Sequence, residues 1–315
     1  MIYIRDLNEN DRVESVYFIE SAETRPTKGG TEFLRVTMKD KTGKIMGNAW
    51  DLNAANVNLV KTGDYALVSG EVYVYNDQLQ FKIYGIRKAN ENEYNISDYL
   101  EVSKRDIKDM EEELKKFIDK VDNKYLKELL VKIFIEDEQF FSDFCKHPAA
   151  RAIHHNYIGG LIEHTLGVAR ISESICNLYE KVNKSLLLTG AVLHDIGKVY
   201  EMSKYPIVEY TDKGQFLGHI IIGINIIHDK IREIKDFPSL LEIELEHLIL
   251  SHHGEYEFGS PKKPAILEAF ILNYADNLDA KIEVFRKELS NIPNTNWTKT
   301  IYSLDTPIRK TEVDE

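Results

Sequence analysis

Seven residues stand out as candidate ligands for divalent metal ions: His164, His194, Asp195, His219, His252, His253 and Asp276. Each lies in or beside an apolar helical stretch, where an unpaired imidazole or carboxylate is costly. An ion pair or a backbone hydrogen bond satisfies any one of them taken alone; for the set, shared coordination of metal is the more economical account. His194 and Asp195 are adjacent in LLLTGAVLHDIGK (186–198), and Lys198 lies one helical turn on, facing whatever that doublet holds. All ten histidines fall between His147 and His253. Mixed nitrogen and carboxylate donors without thiolate suit Mn²⁺, Fe or Zn²⁺ in an open catalytic site and fit poorly with a closed structural zinc.

Helices must position these groups. From residue 102 onward the apolar period is helical, with helices expected over 102–121, 124–135 and 137–144 and a long last one over 265–289 that carries Asp276. Gly and Pro mark the breaks, among them Pro148, Gly159-Gly160, Gly214, Pro238, Gly254 and Pro261 to Pro264. His154 and His155 precede the Gly-Gly that opens the helix bearing His164. They are read equally as contacts to a phosphate at that helix amino terminus or as a capping pair. Lys262 and Lys263, between prolines, either guide phosphates or form a solvated turn. Asp279 reads as a partner to the ligands or as a solvated helix charge, His147 and His228 as surface residues, and His247 as a core or surface helix residue.

The leading segment has a different period. Between Arg12 and Lys88 five short stretches rich in β-branched and aromatic residues alternate with turn signals at Gly29-Gly30, Lys41-Thr42-Gly43, Thr62-Gly63-Asp64 and Tyr75-Asn76-Asp77. A short helix is expected over 51–60. Five strands with a helix in that slot is the layout of an OB-fold, which often holds single-stranded nucleic acid; a β-sandwich fragment is the alternative. Phe33, Trp50, Tyr73, Tyr75 and Phe81 stand with Arg35, Lys44 and Lys82 on or beside the same strands. About two of the five rings are expected to face outward, where bases stack while cations track the backbone.

The fold expected is therefore α+β and multidomain. A five-stranded OB-type barrel occupies 1–90, a helical connection 91–146, an all-α metal-binding domain 147–294 and a tail 295–315. Net charge is −12, which argues against tight, indiscriminate nucleic-acid binding by the whole chain. Through Lys88, 12 Lys+Arg balance 12 Asp+Glu, so the later part, with 28 against 40, holds the entire excess. Cys145 and Cys176 show no CxxC spacing and read as reduced core residues. A charged amino terminus without an apolar leader, and apolar segments too short to span a bilayer, lead to the expectation of a cytoplasmic protein with no membrane contact.

The order H, HD, H, HH, D over one helical region resembles the HD-domain superfamily of metal-dependent phosphohydrolases. The resemblance implies that His164, His194, Asp195 and Asp276 hold one metal, and that His219, His252 and His253 mark a second, with Asp195 bridging. It also implies that Lys198, the lysine of an HDxGK variant, binds phosphate or delivers a proton. Two metals a few ångströms apart lower the pKa of a shared water and stabilise a phosphodiester's leaving oxygen, so hydrolysis is favoured over redox chemistry. An iron-dependent oxygenase is the minor alternative.

Over nearly the whole length, the barrel, the segment HPAARAIHHNYIGGLIEHT (147–165), HDIGK, Gly218-His219, SHHGEYEFGSPKKP (251–264) and NYADNLDAK (273–281) resemble the YhaM-type 3′→5′ exoribonucleases. That resemblance implies two Mn²⁺ ions, with Fe or Zn²⁺ as alternatives, and shortening of single-stranded RNA from its 3′ end to nucleoside monophosphates. Single-stranded DNA is admitted as a further substrate and a homo-oligomer as a further state. Asp195 and Lys198 are the expected catalytic residues. His154, His155, Phe33, Arg35, Trp50, Tyr75, Lys82, Lys262 and Lys263 are the expected substrate contacts. The rival readings are an HD-domain phosphodiesterase of a small nucleotide and a non-catalytic single-strand-binding factor.

Overall fold

The computed structural model describes residues 2–27, 29–51, 60–100, 102–150, 157–205, 208–290, 292 and 296–311. The chain divides into two compact units, Met1–Val102 and Ser103–Glu315. The helix expected over 51–60 lies almost wholly outside the described residues.

The first unit is a closed barrel of β1 (Arg12–Pro26), β2 (Glu32–Asp40), β3 (Gly43–Ala49), β4 (Tyr65–Tyr75) and β5 (Gln78–Lys88), in the order β1-β2-β3-β5-β4. Closure depends on β1, which is long enough to serve two partners. Arg12–Phe18 pairs antiparallel with β4 and Phe18–Pro26 with β2, and a register shift between Ile19 and Ser21 bends the strand where it changes neighbour. The parallel pairing of β3 with β5 shuts the other seam. This is the five-stranded OB topology.

Alternation along the strands sends Tyr17, Ile19, Val36, Met38, Val68, Val72 and Phe81 into the core. The turn joining β4 to β5 is Asn76-Asp77, both at positive φ, as a two-residue hairpin turn requires. Beyond β5 the chain stays on the barrel, where the Tyr99 hydroxyl donates to the Val16 carbonyl oxygen at 2.9 Å and the Tyr94 ring stacks on Tyr65.

The second unit is helical among its described residues. It comprises α1 (Ile107–Asp119), α2 (Lys124–Phe134), α3 (Glu138–Lys146), α4 (Gly160–Leu178), α5 (Lys184–Leu193), α6 (Lys198–Glu201), α7 (Asp212–Ile231), α8 (Ser239–Ser251) and α9 (Leu267–Ser290). Asp106, Asn123, Asp137, Asn183 and Thr211 cap amino termini by accepting from backbone amides of the first turn. One apolar cluster runs from Met110 and Leu114 on α1 through α2 to α5 and on to Leu272 and Ala275 on α9. The centre of that cluster is α5, whose residues from Leu186 to Leu193 are all buried. Both cysteines are free thiols, Cys145 buried and Cys176 half-buried. No described helix is long and apolar enough to cross a membrane.

Candidate metal centre

A helix buried on every side has no solvated face to spend on a polar group, so α5 can carry His194 and Asp195 only at its carboxyl end, where other donors meet them. His164 comes from α4, His219 from α7, His252 and His253 from the end of α8, and Asp276 from the middle of α9. Two of these elements start or bend at glycines in the left-handed region. Gly159 (φ 83°) opens α4, and Gly218 (φ 69°) breaks α7 just before His219, freeing that residue's amide to donate to Glu201 Oε1 at 2.9 Å.

The seven side chains form two groups whose ligand atoms lie within 4.8 Å of one another, His164/His194/Asp276 and His219/His252/His253. Asp195 stands between them. Its Oδ2 is 3.6 Å from His164 Nε2 and 3.3 Å from His194 Nε2, while its Oδ1 is 3.5 Å from His219 Nε2 and 3.8 Å from His252 Nε2. One carboxylate thus turns an oxygen to each group, the arrangement of a bridge. Asp276 Oδ1 lies 3.1 Å from His164 Nε2, and Lys198 Nζ lies 2.6 Å from Asp195 Oδ2.

All five imidazoles present the same nitrogen inward, because the other is already engaged. Nδ1 of His194 donates to the Ala191 carbonyl oxygen, that of His252 to Ile249 and that of His253 to Phe258, at 2.7–2.9 Å. Nδ1 of His164 meets Asp279 Oδ2 at 2.7 Å, and Nδ1 of His219 meets Glu201 Oε1 at 3.1 Å. A proton fixed on Nδ1 leaves the Nε2 lone pair for a cation, and such outer partners orient ligands and raise their basicity. The residues fit a metal on a further observation. His219 Nε2 and His252 Nε2 are buried without a hydrogen-bond partner, a cost of roughly 1–3 kcal/mol each that coordination removes.

The electrostatics agree. Burial opposes the charge on Asp195, yet Lys198 and His194 hold its carboxyl well below the usual carboxylate range. Asp276 is likewise lowered against burial, chiefly by His164. Burial would strip Lys198 of its proton, but the carboxylates of Asp195, Asp276 and Glu201 outweigh it and raise its pKa. Burial, with His253 and His194 nearby, pushes His252 well down, and burial beside His219 lowers His253, so both are neutral as ligands must be. His164 is the exception. Burial lowers it, but Asp276 and Asp279 raise it to about 10, so a cation there takes the place of a proton.

Two glycines let the elements approach closely enough. A Cβ on Gly197, inside the HDIGK segment, would sit 1.9 Å from the His219 carbonyl oxygen and 2.6 Å from the Gly223 nitrogen. On Gly167 it would sit 2.0 Å from Asp279 Oδ1. Glu201, 18 residues from His219 and at the end of a short helix, carries no sequence signal that singles it out. Asp279 had one, its position one turn beyond Asp276.

The expected substrate contacts are placed as follows. His154 and His155 fall outside the described residues. Lys262 and Lys263 are exposed, and Lys263 pairs with Glu255. On the barrel, cross-strand register puts Arg35 opposite Asn48 and Asn48 opposite Lys82 on the outer face of β2, β3 and β5. Trp50 (50% exposed) stacks on Phe33 at 4.4 Å between ring centres, and the Arg35 guanidinium lies over the Phe33 ring at 5.6 Å. Phe33 itself is only 6% exposed, covered by the ring it supports. Tyr75 is exposed at the β4–β5 turn; Tyr84, on β5, is exposed as well, carries Lys82 over its ring at 5.5 Å, and has no signal in the sequence that singles it out. Phe81 is core. His147, expected at the surface, is instead buried with its nitrogens on the carbonyl oxygens of Pro148 and Met202. The chain returns past it at Met202, a contact across 55 residues that local periodicity does not reveal.

Residues 161–281 match the HD domain family, a span that contains all seven candidate ligands, Lys198, Glu201 and Asp279. The 3′-5′ exoribonuclease YhaM of Geobacillus sp. (strain WCH70) is 34% identical over 296 residues, covering 94% of this chain and 90% of the relative. Among solved structures, the second OB-fold domain of replication protein A from Methanococcus maripaludis is 26% identical with a TM-score of 0.24, covering 29% of this chain and 95% of that one. An OB domain from Methanosarcina mazei is 22% identical with a TM-score of 0.24, covering 28% and 82%.

Proposed function

The chain belongs to the family of the 3′-5′ exoribonuclease YhaM, and from that premise we propose that it is a metal-dependent nuclease that removes nucleoside monophosphates from the 3′ end of single-stranded RNA. The observation that carries the proposal is the division of the Asp195 carboxylate between two groups of inward-facing imidazole nitrogens. Two divalent cations, Mn²⁺ by preference, fit this donor set, His164, His194 and Asp276 on one side and His219, His252 and His253 on the other. When bound, such ions lower the pKa of water and neutralise charge on a phosphodiester.

The chain's own groups do the remainder. Asp195 joins the two halves of the site and sets their separation. Lys198, buried and held protonated, fixes the orientation of that carboxylate and offers a fixed positive charge to a phosphate oxygen as negative charge develops. Glu201 and Asp279 hold His219 and His164 in the required tautomer and rotation. On the barrel, Trp50 on its Phe33 support, with Tyr75 and Tyr84, provides stacking surfaces, while Arg35 and Lys82 provide positive charge beside them. Covalent linkage of a strand-binding module to a hydrolytic one raises the local concentration of RNA ends at the second. Single-stranded DNA meets the same stacking and phosphate requirements.

Purified full-length protein with Mn²⁺ should shorten a 5′-labelled oligoribonucleotide stepwise from its 3′ end, and Asp195→Ala should be inactive while keeping its helical content. Persistence of the full-length strand, or internal cleavage from the first time point, would overturn the proposal.

A further inference from the structure

A third convergence of ligand atoms lies on α7 and α8 and takes no part in the chemistry above. His228 stands nine residues after His219 on α7, about 14 Å along the helix. Glu242 and Glu246 are one turn apart on α8 and share a face. His228 Nε2 touches Glu246 Oε1 and lies 3.8 Å from Glu242 Oε1, and the three side chains offer donor atoms within 4.8 Å of one another. All three are half-buried, between 23% and 32% exposed.

Two carboxylates share a single imidazole at this point. Two carboxylates one turn apart on a helix repel. Among the described residues their only ion-pair partner is His228, which supplies at most one positive charge for two negative ones. The nearby Lys230 is engaged elsewhere, with Asp137 and Glu233. One imidazole nitrogen and two carboxylate oxygens, drawn from two helices and partly open to water, make a three-donor set for a borderline divalent ion with solvent completing the shell.

We propose that His228, Glu242 and Glu246 form a separate divalent-cation site of the Zn²⁺ or Co²⁺ class that clasps α7 to α8. Its place in the fold gives it a consequence. The first of these helices carries His219 and the second leads directly into His252 and His253, so a cation here tethers the two elements that present three of the seven hydrolytic ligands. The site is structural, and no substrate group is assigned to it.

The test is a count of bound metal, which does not depend on RNA hydrolysis. Full-length protein is stripped with EDTA, equilibrated with Zn²⁺, freed of excess ion and assayed by elemental analysis. Glu242→Gln/Glu246→Gln keeps the shape and hydrogen-bonding capacity of both side chains and should bind one Zn²⁺ fewer per chain than the wild type. His228→Gln, which removes the nitrogen donor alone, should show the same loss. Both variants should keep Mn²⁺-dependent ribonuclease activity within about twofold and show a smaller Zn²⁺-induced rise in melting temperature. An unchanged Zn²⁺ count in either variant overturns the proposal and leaves a hydrogen-bonded His–Glu cluster.

Discussion

Replacing Gly197 by alanine adds one methyl group that meets no ligand nitrogen or carboxylate and no substrate, yet the packing makes it one of the most damaging small changes available. The new Cβ would lie 1.9 Å from the His219 carbonyl oxygen, about 1.5 Å short of ordinary van der Waals separation, and 2.6 Å from the Gly223 nitrogen. Both obstacles are main chain, so no rotamer change relieves them; α7 has to move away from α6 by roughly an ångström. Ligand constellations tolerate about 0.5 Å, and a misplacement near 1 Å costs on the order of 10²-fold in rate. Overpacking adds about 1–3 kcal/mol of lost stability.

The expectation is therefore a Gly197→Ala protein that folds, melts several degrees lower, binds Mn²⁺ more weakly and degrades a labelled oligoribonucleotide about 100-fold more slowly. The matched control is Gly223→Ala on the opposite side of the same contact. There an added Cβ meets nothing closer than 3.5 Å, and the helix gains about 0.5–1 kcal/mol of propensity. Wild-type Mn²⁺ affinity and rate in Gly197→Ala, or equal damage in both variants, would refute the reasoning.

Three further outcomes follow from the geometry. Glu201→Ala and Asp279→Ala should each weaken Mn²⁺ binding about 10–100-fold by releasing one candidate ligand histidine from its partner, measured by metal titration without RNA. Trp50→Ala should raise the dissociation constant for a single-stranded oligoribonucleotide in EDTA by roughly 5–150-fold, equivalent to about 1–3 kcal/mol of stacking, whereas Tyr75→Ala, whose ring has no stacked support among the described residues, should cost less; fluorescence anisotropy separates these. Glu113 on α1 accepts from Arg105 and from Arg170 of α4 at 2.6 Å; burial opposes its charge, but the two guanidinium groups lower its pKa. Its stabilisation is thus present above the unfolded carboxylate value near 4.3 and is lost as pH falls through the lower folded value, so Glu113→Gln should reduce urea stability by about 1–2 kcal/mol at pH 7 and by progressively less below pH 4.

Residue type and order were enough to single out the seven side chains that the fold gathers into two adjoining groups, because buried imidazoles and carboxylates are rare in apolar helices and their accumulation in one region has few explanations. The strands were legible for a similar reason: alternation between Tyr17, Ile19 and their neighbours is a local property, and turn residues such as Asn76-Asp77 punctuate it. What local pattern does not carry is partnership at a distance. Glu201 reads as an ordinary solvated helix charge until the break at Gly218 brings His219 onto it. His147 reads as exposed until Met202 closes over it. The glycine of HDIGK is explained neither by its φ nor by its neighbours in sequence, but by the α7 backbone lying against it.

The five imidazoles of the candidate metal centre are held by two kinds of acceptor, and the difference decides what a mutational scan can see. Glu201 and Asp279 are side chains, so substitution exposes their contribution directly. His194, His252 and His253 are anchored to the carbonyl oxygens of Ala191, Ile249 and Phe258, which every amino acid supplies equally. Alanine scanning is blind to these three tethers, and sequence drift at positions 191, 249 and 258 leaves the acceptor atoms in place. Only altering the peptide linkage, for instance an amide-to-ester replacement that weakens the acceptor, would disclose what they contribute.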